Sequence, residues 1–141
     1  IPTILNVLQE LGSRHVLVVA ADDGLDEITI AGATRVGELR NGSITEYSIS
    51  PKDFGMQSYT ETEMLRIDSP QASLAMVRDA LSYANQPAAD IVALNAGAAI
   101  YAAGIQHTMG GGVKQAVGIL KSGEALDKLQ ALADFTRGLG N

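Results

Sequence analysis

The segment from His15 to Ala31, HVLVVAADDGLDEITIA, constrains this chain more than any other. It opens with Val16-Leu17-Val18-Val19-Ala20, a run too short and too continuously apolar for an amphipathic helix. Such a run reads as a strand buried on both faces, the usual state of a parallel strand inside an α/β sheet. Its carboxyl end turns acidic at once: Asp22, Asp23, Asp26 and Glu27 fall within six residues, and Gly24 gives the turn its freedom. Ligands of open α/β sheets bind just beyond the carboxyl ends of the strands. An oxygen-rich loop there suits a hard cation such as Mg²⁺, which takes one or two carboxylates and completes its shell from substrate phosphates. Acidic turns are also common as plain solvated surface, so the residues alone leave both readings open.

Before this segment, Ile4, Leu5, Val7, Leu8 and Leu11 share one helical face, and Gly12 takes the position just past the helix end. A helix running into a strand is half of a βαβ unit whose first strand is not in the sequence. Ile1 falls inside the helical pattern, so the chain is expected to be a segment of a longer protein. After the acidic turn, Glu27 to Ala31 alternates and is expected to form a second strand. Thr34–Arg40 and Ile44–Ser50 flank Asn41-Gly42, a strong hairpin signal.

From Pro51 on, the chain reads as mainly helical. Ser50-Pro51 and Ser69-Pro70 each place a capping residue before a proline at the first helical position. The second pair opens a helix to about Tyr83 that should bury Leu74, Val77 and Leu81. Pro87 opens a helix to about Ala103 whose many small residues allow close neighbours and a central position. A shorter helix is expected over Gly110 to Leu120. Ser122 then caps a last one, burying Leu126, Leu129 and Leu132 and ending at Gly138.

Other candidate chemistry is thin. The 141 residues suffice for one domain, and 46% hydrophobic with 18% charged residues is a globular balance. A net charge of −6 with scattered Lys and Arg argues against nucleic acid or an anionic membrane as partner. Without cysteine there are no disulfides or thiolate metal sites, which suits a cytoplasmic home. No apolar run approaches the ~20 residues of a membrane span. Gly110-Gly111-Gly112 with Lys114 departs from the phosphate-loop pattern: the lysine comes late and no strand precedes it. His15 and His107 lack metal-ligand spacing, and His15, at a strand start, reads as structural. Asn95 reads as a packed, hydrogen-bonding residue of its helix. No Ser or Cys sits in a nucleophile elbow. The acidic turn is the candidate that remains.

Five features then carry a family resemblance. They are the strand into Asp23-Gly24-Leu25-Asp26-Glu27, the G-x-T-x-V-x-E-L run of Gly32–Leu39, the P-x-D-F-G run of Pro51–Gly55, and the helices LNAGAAIYAAG and SGEALDKLQAL. In this order they resemble the anthranilate phosphoribosyltransferases of tryptophan biosynthesis. The resemblance implies that residues 1–141 are a single segment from the carboxyl-terminal part of a nucleoside phosphorylase/phosphoribosyltransferase-like α/β domain, with a mixed sheet and packed helices. It implies transfer of a phosphoribosyl group from phosphoribosyl pyrophosphate to anthranilate, with release of pyrophosphate.

By the same resemblance Asp26 and Glu27 bind Mg²⁺, which would orient the pyrophosphate and neutralise its growing charge. Adjacent residues on an extended strand point to opposite faces, so the pair can converge on one cation only where the turn persists through them. Asp22 and Asp23 would flank that site. The amino-terminal helical domain and the first part of the α/β domain would precede Ile1. With them would go the family's glycine-rich pyrophosphate loop, its lysine-histidine-glycine-asparagine segment and its anthranilate-binding arginine. The segment alone is therefore expected to be inactive, and the full-length protein to be a cytoplasmic homodimer. Gly110-Gly111-Gly112 is less helix-favouring than the family's usual residues and puts that helix boundary in question. A pyrimidine nucleoside phosphorylase-like enzyme and a non-catalytic scaffold whose acidic turn is merely solvated are the alternatives.

Overall fold

The computed structural model describes residues 1–139. Helix α1 (Pro2–Glu10) carries its proline in the first turn, and Gly12 leads the chain away at φ 80°. Strands β1 (His15–Ala21), β2 (Thr34–Arg40) and β3 (Ser43–Ile49) form one sheet in the order β1-β2-β3. Both pairings are antiparallel, with Val19 opposite Val36 and Val36 opposite Tyr47. Asn41 and Gly42 turn β2 into β3 at φ 50° and 80°, the left-handed pair that a two-residue hairpin needs.

The α/β class with packed helices is as expected, but β1 differs from its reading. It pairs antiparallel rather than parallel, and it is half-buried along most of its length rather than covered on both faces. A continuous apolar run reports apolar surroundings and is silent on the direction of the neighbouring strand.

The expected strand from Glu27 to Ala31 does not form. The chain there is irregular, yet Ile28, Thr29 and Ile30 are buried. Several of its backbone groups are bound individually rather than by a ladder. Asn95 Oδ1 accepts from the Ile28 amide, Thr34 Oγ1 from the Thr29 amide, and the Ile30 carbonyl from the Tyr59 amide. Alternation of Ile and Thr misreads this stretch twice: Thr29 is as buried as its neighbours, and no ladder forms.

Beyond a short 3-10 turn at Pro51–Phe54 lie α2 (Pro70–Leu81), α3 (Gln86–Ala102), α4 (Met109–Ser122) and α5 (Glu124–Gly138). Ser69, Asn85 and Thr108 cap the first three through their side-chain oxygens. Helix α3 is central. Its Leu94, Ala98 and Tyr101 join Ile28, Ile30, Val36, Ile49, Met109 and Val113 in the main core, while Ala89 and Ala93 meet Ala116 and Leu120 of α4. The two helices touch at backbone distance. A methyl placed on Gly97 would lie 2.5 Å from the Val113 backbone, and one on Gly112 would collide with the Gly97 carbonyl. Gly112 thus belongs inside α4, and the helix boundary falls at Met109.

Several apolar stripes are less covered than their periodicity predicts. On α1 only Leu5 is buried, while Ile4, Val7 and, just past the helix end, Leu11 are exposed. On α2 the buried residue is Ala80, with Leu74 and Val77 exposed and Leu81 half-buried. Leu126 and Leu129 of α5 are half-buried and Leu132 is exposed. Periodicity marks which face of a helix is apolar, not whether a neighbour covers it. Helix α5 is also not capped by Ser122. Gly123, at φ 85°, ends α4 and starts α5, and Ser122 Oγ donates to Glu124 instead.

Candidate functional site: the acidic turn

Strand β1 delivers the chain at Ala21 into a tight loop. The Gly24 amide returns to the Ala21 carbonyl at 3.2 Å, the Ala21 amide donates to the Leu25 carbonyl at 3.1 Å, and the Asp22 amide reaches the Ala33 carbonyl at 2.9 Å. Gly24 sits at φ 93°, a conformation that the turn demands and that side chains resist. The four carboxylates of this loop then divide by role. Asp23 builds the loop: its Oδ1 accepts from the Leu25 amide at 3.2 Å and its Oδ2 from the Thr29 hydroxyl at 2.5 Å. Asp22 lies 4.0 Å from the Arg35 guanidinium, an exposed and weakly held pair.

Asp26 and Glu27 are different. Both are exposed in a bend rather than an extended strand, so the turn does persist through them. Their carboxylates make no hydrogen bond or ion pair among the described residues. They line a cleft of about 400 Å³ with Leu25, Thr62, Leu65, Arg66 and Ile91. Arg66, on the same cleft, is paired with Glu63 at 3.2 Å.

Among the described residues no three His, Cys, Asp or Glu side chains gather into a metal cage. Two unencumbered hard oxygen donors beside an open cleft are nevertheless the donor set Mg²⁺ uses. That ion keeps most of its shell as water and phosphate oxygen and binds the protein through one or two carboxylates. The residues present therefore fit such an ion.

The loop is held to the helical layer by a residue whose reach the sequence does not reveal. Asn95 of α3 accepts the Ile28 amide at 2.9 Å and donates to the Ile28 carbonyl at 3.0 Å, a partner 67 residues away. It also donates to the Ile91 carbonyl one turn back at 2.9 Å. Its expected packed, hydrogen-bonding character is observed; only the fold shows which loop it grips.

A second polar cluster lies at the other end of β1. Glu38, 7% exposed, accepts from the Tyr101 hydroxyl at 2.6 Å and the Tyr47 hydroxyl at 2.9 Å and meets His15 Nε2 at 3.0 Å. Arg40 donates to the Tyr101 hydroxyl, and the His15 ring stands edge-on to Tyr101. Burial pushes the Glu38 carboxyl up, but the three hydrogen bonds outweigh it and hold the group below the ordinary range. Burial and the adjacent carboxylate push Tyr47 and Tyr101 up. Tyr59, which donates to buried Asp90, is pushed up to about 12 by burial and then by that carboxylate. His15 thus packs as a structural residue. Glu38 shares its face of β2 with Thr34, Val36 and Arg40, a mixed face that carries no distinct sequence signal for this cluster.

Residues 1–126 match the glycosyl transferase family, a/b domain. The chain belongs to this family. It is 51% identical over 134 residues to the anthranilate phosphoribosyltransferase of Methylococcus capsulatus, covering 95% of this chain and 39% of that protein. It is 52% identical over 134 residues to that of Stutzerimonas stutzeri, covering 92% and 38%. The structure superposes on the crystal structure of anthranilate phosphoribosyltransferase from Thermus thermophilus with a TM-score of 0.84 at 34% identity, over 95% of this chain and 39% of that one. It shares the fold of the Saccharomyces cerevisiae enzyme in complex with PRPP and Mg, with a TM-score of 0.70 at 20% identity, over 82% and 33% of the two chains. The chain therefore spans about two fifths of the length of these relatives. The resemblance read from the DGLDE turn and the helices that follow is thus shown. No helix among the described residues is long and apolar enough to cross a membrane.

Proposed function

We propose that this chain is the carboxyl-terminal part of the α/β domain of an anthranilate phosphoribosyltransferase, and that Asp26 and Glu27 hold its Mg²⁺. The full-length protein then transfers phosphoribosyl from phosphoribosyl pyrophosphate to the anthranilate amino group, releasing pyrophosphate. It does so as a cytoplasmic homodimer. The observation that carries this reading is the division of labour in the acidic turn. Asp23 is spent on the loop, whereas Asp26 and Glu27 keep their lone pairs free beside a cleft.

Supporting it are the identities near 50% with anthranilate phosphoribosyltransferases and the Mg and PRPP in the yeast complex of the same fold. A bound Mg²⁺ supplies charge neutralisation to the departing pyrophosphate and fixes its orientation. The chain's own contribution is positional. Carboxylates repel a pyrophosphate directly, so Asp26 and Glu27 act on it only by fixing the cation's place at the cleft rim.

The test is anthranilate consumption by the full-length protein with phosphoribosyl pyrophosphate, with and without Mg²⁺. Consumption that requires both substrate and metal is expected. Phosphate-driven cleavage of a nucleoside instead would move the protein to the phosphorylase branch. A folded protein active on neither would leave the scaffold reading.

A further inference from the structure

Residue Ile28 follows directly on Glu27, and both of its backbone hydrogen-bonding groups are bound by one side chain. Asn95 takes the Ile28 amide on Oδ1 and gives Nδ2–H to the Ile28 carbonyl, at 2.9 and 3.0 Å. This is how a neighbouring strand would pair with a residue, but here a single amide does it. The remaining Nδ2–H goes to the Ile91 carbonyl at 2.9 Å, which fixes the amide's own rotation on α3. Helix α3 is in turn held against α4 at backbone distance by the Gly97–Gly112 contact, so the grip is exerted from a closely packed helix.

The acidic pair itself has no such support. Asp26 and Glu27 lack side-chain partners among the described residues, and the segment that follows them is not in a sheet ladder. The first amide after Glu27 is therefore anchored by Asn95 and not by the sheet. From this geometry we infer that Asn95 is a positioning residue for the metal-holding turn: it fixes the backbone at Ile28 so that both carboxylates stay placed while their oxygens remain free. The inference rests on the metal reading of Asp26 and Glu27 given above. Positioning from the backbone leaves every lone pair of both carboxylates available to the cation and its water shell.

The test uses Mn²⁺ as the probe for the Mg²⁺ site, titrated by electron paramagnetic resonance against the full-length protein, with amide hydrogen exchange as a second readout. Asn95→Leu keeps the branched four-atom outline of the side chain and suits a helix, yet removes all three hydrogen bonds. It is expected to weaken Mn²⁺ binding by at least about tenfold, the scale of losing a residue that orients a metal ligand. It should also speed exchange at Ile28 and Thr29. Asn95→Ala carries the same expectation should the leucine variant not fold.

Ala93→Gly loosens the same helix from its α4-facing side, away from the turn, and should leave Mn²⁺ affinity unchanged. Parent-like Mn²⁺ affinity in both Asn95 variants overturns the inference, as does an equal loss in Ala93→Gly. The double variant Asp26→Asn, Glu27→Gln separates the two levels. If it binds Mn²⁺ like the parent, the metal reading fails and the Asn95 inference falls with it. If it loses Mn²⁺ while the Asn95 variants keep it, only the inference about Asn95 falls.

Discussion

Gly112→Ala is expected to destabilise the fold although it replaces a helix-breaking residue inside a helix. The added methyl would collide with the Gly97 carbonyl, and the facing approach is equally tight, with a methyl on Gly97 only 2.5 Å from the Val113 backbone. Both obstacles are main chain, so no rotamer change relieves them and α3 and α4 must move apart. Overpacking of this kind costs about 1–3 kcal/mol, and an obstruction made of backbone belongs at the upper end. Alanine recovers about 1 kcal/mol of helix propensity. The net loss is then about 2 kcal/mol, a factor of roughly 30 in the folded-to-unfolded ratio.

Gly118→Ala on the same helix is the internal control. Gly118 is exposed, and a methyl there meets nothing within 4 Å. That variant should gain about 1 kcal/mol from propensity alone. Urea denaturation of the two variants beside the parent should therefore show shifts of opposite sign, about 3 kcal/mol apart. A Gly112→Ala protein as stable as Gly118→Ala would refute the claim that backbone contact sets the α3–α4 spacing.

Further outcomes follow from other parts of the molecule. In the full-length protein, Asp26→Asn or Glu27→Gln should each lower turnover at least ~100-fold, taking a lost metal contact as about 3 kcal/mol of barrier; parent-like kinetics in both would remove the metal assignment. Glu38 is held below its ordinary pKa by Tyr101, Tyr47 and His15, with Arg40 nearby. Because the folded value is the lower one, its stabilisation is complete above the unfolded value and is lost as pH falls through the folded one. The parent's urea midpoint should thus drop in acid more steeply than that of Glu38→Gln, and parallel profiles would contradict this. Gly42→Ala places a side chain at φ 80° in the hairpin and should cost about 1 kcal/mol, read as a lower denaturation midpoint.

Much of this protein is set by interactions a few residues long, and those parts are readable in the chain. Ser69 and Pro70 start α2, Asn41-Gly42 turns β2 into β3, and the acidic turn sits at the end of β1. Each of these depends on local backbone preferences and on side chains within hydrogen-bonding reach along the chain. The family resemblance was legible for a related reason, since the DGLDE turn and the helices after it keep their order.

What the tertiary structure decided is which groups meet. It made β1 an antiparallel partner of β2, kept Ile28–Ile30 buried without a strand, and left Leu74, Val77 and Leu132 outside the core. It also separated Asp23, bound within its loop, from Asp26 and Glu27, and it brought Asn95 to Ile28 across 67 residues. A hydrophobic pattern states that a face is apolar, and an amide states that it can donate and accept. Neither states what lies opposite, because the partner is chosen by the packing of whole elements, here by two glycines that let α3 and α4 touch.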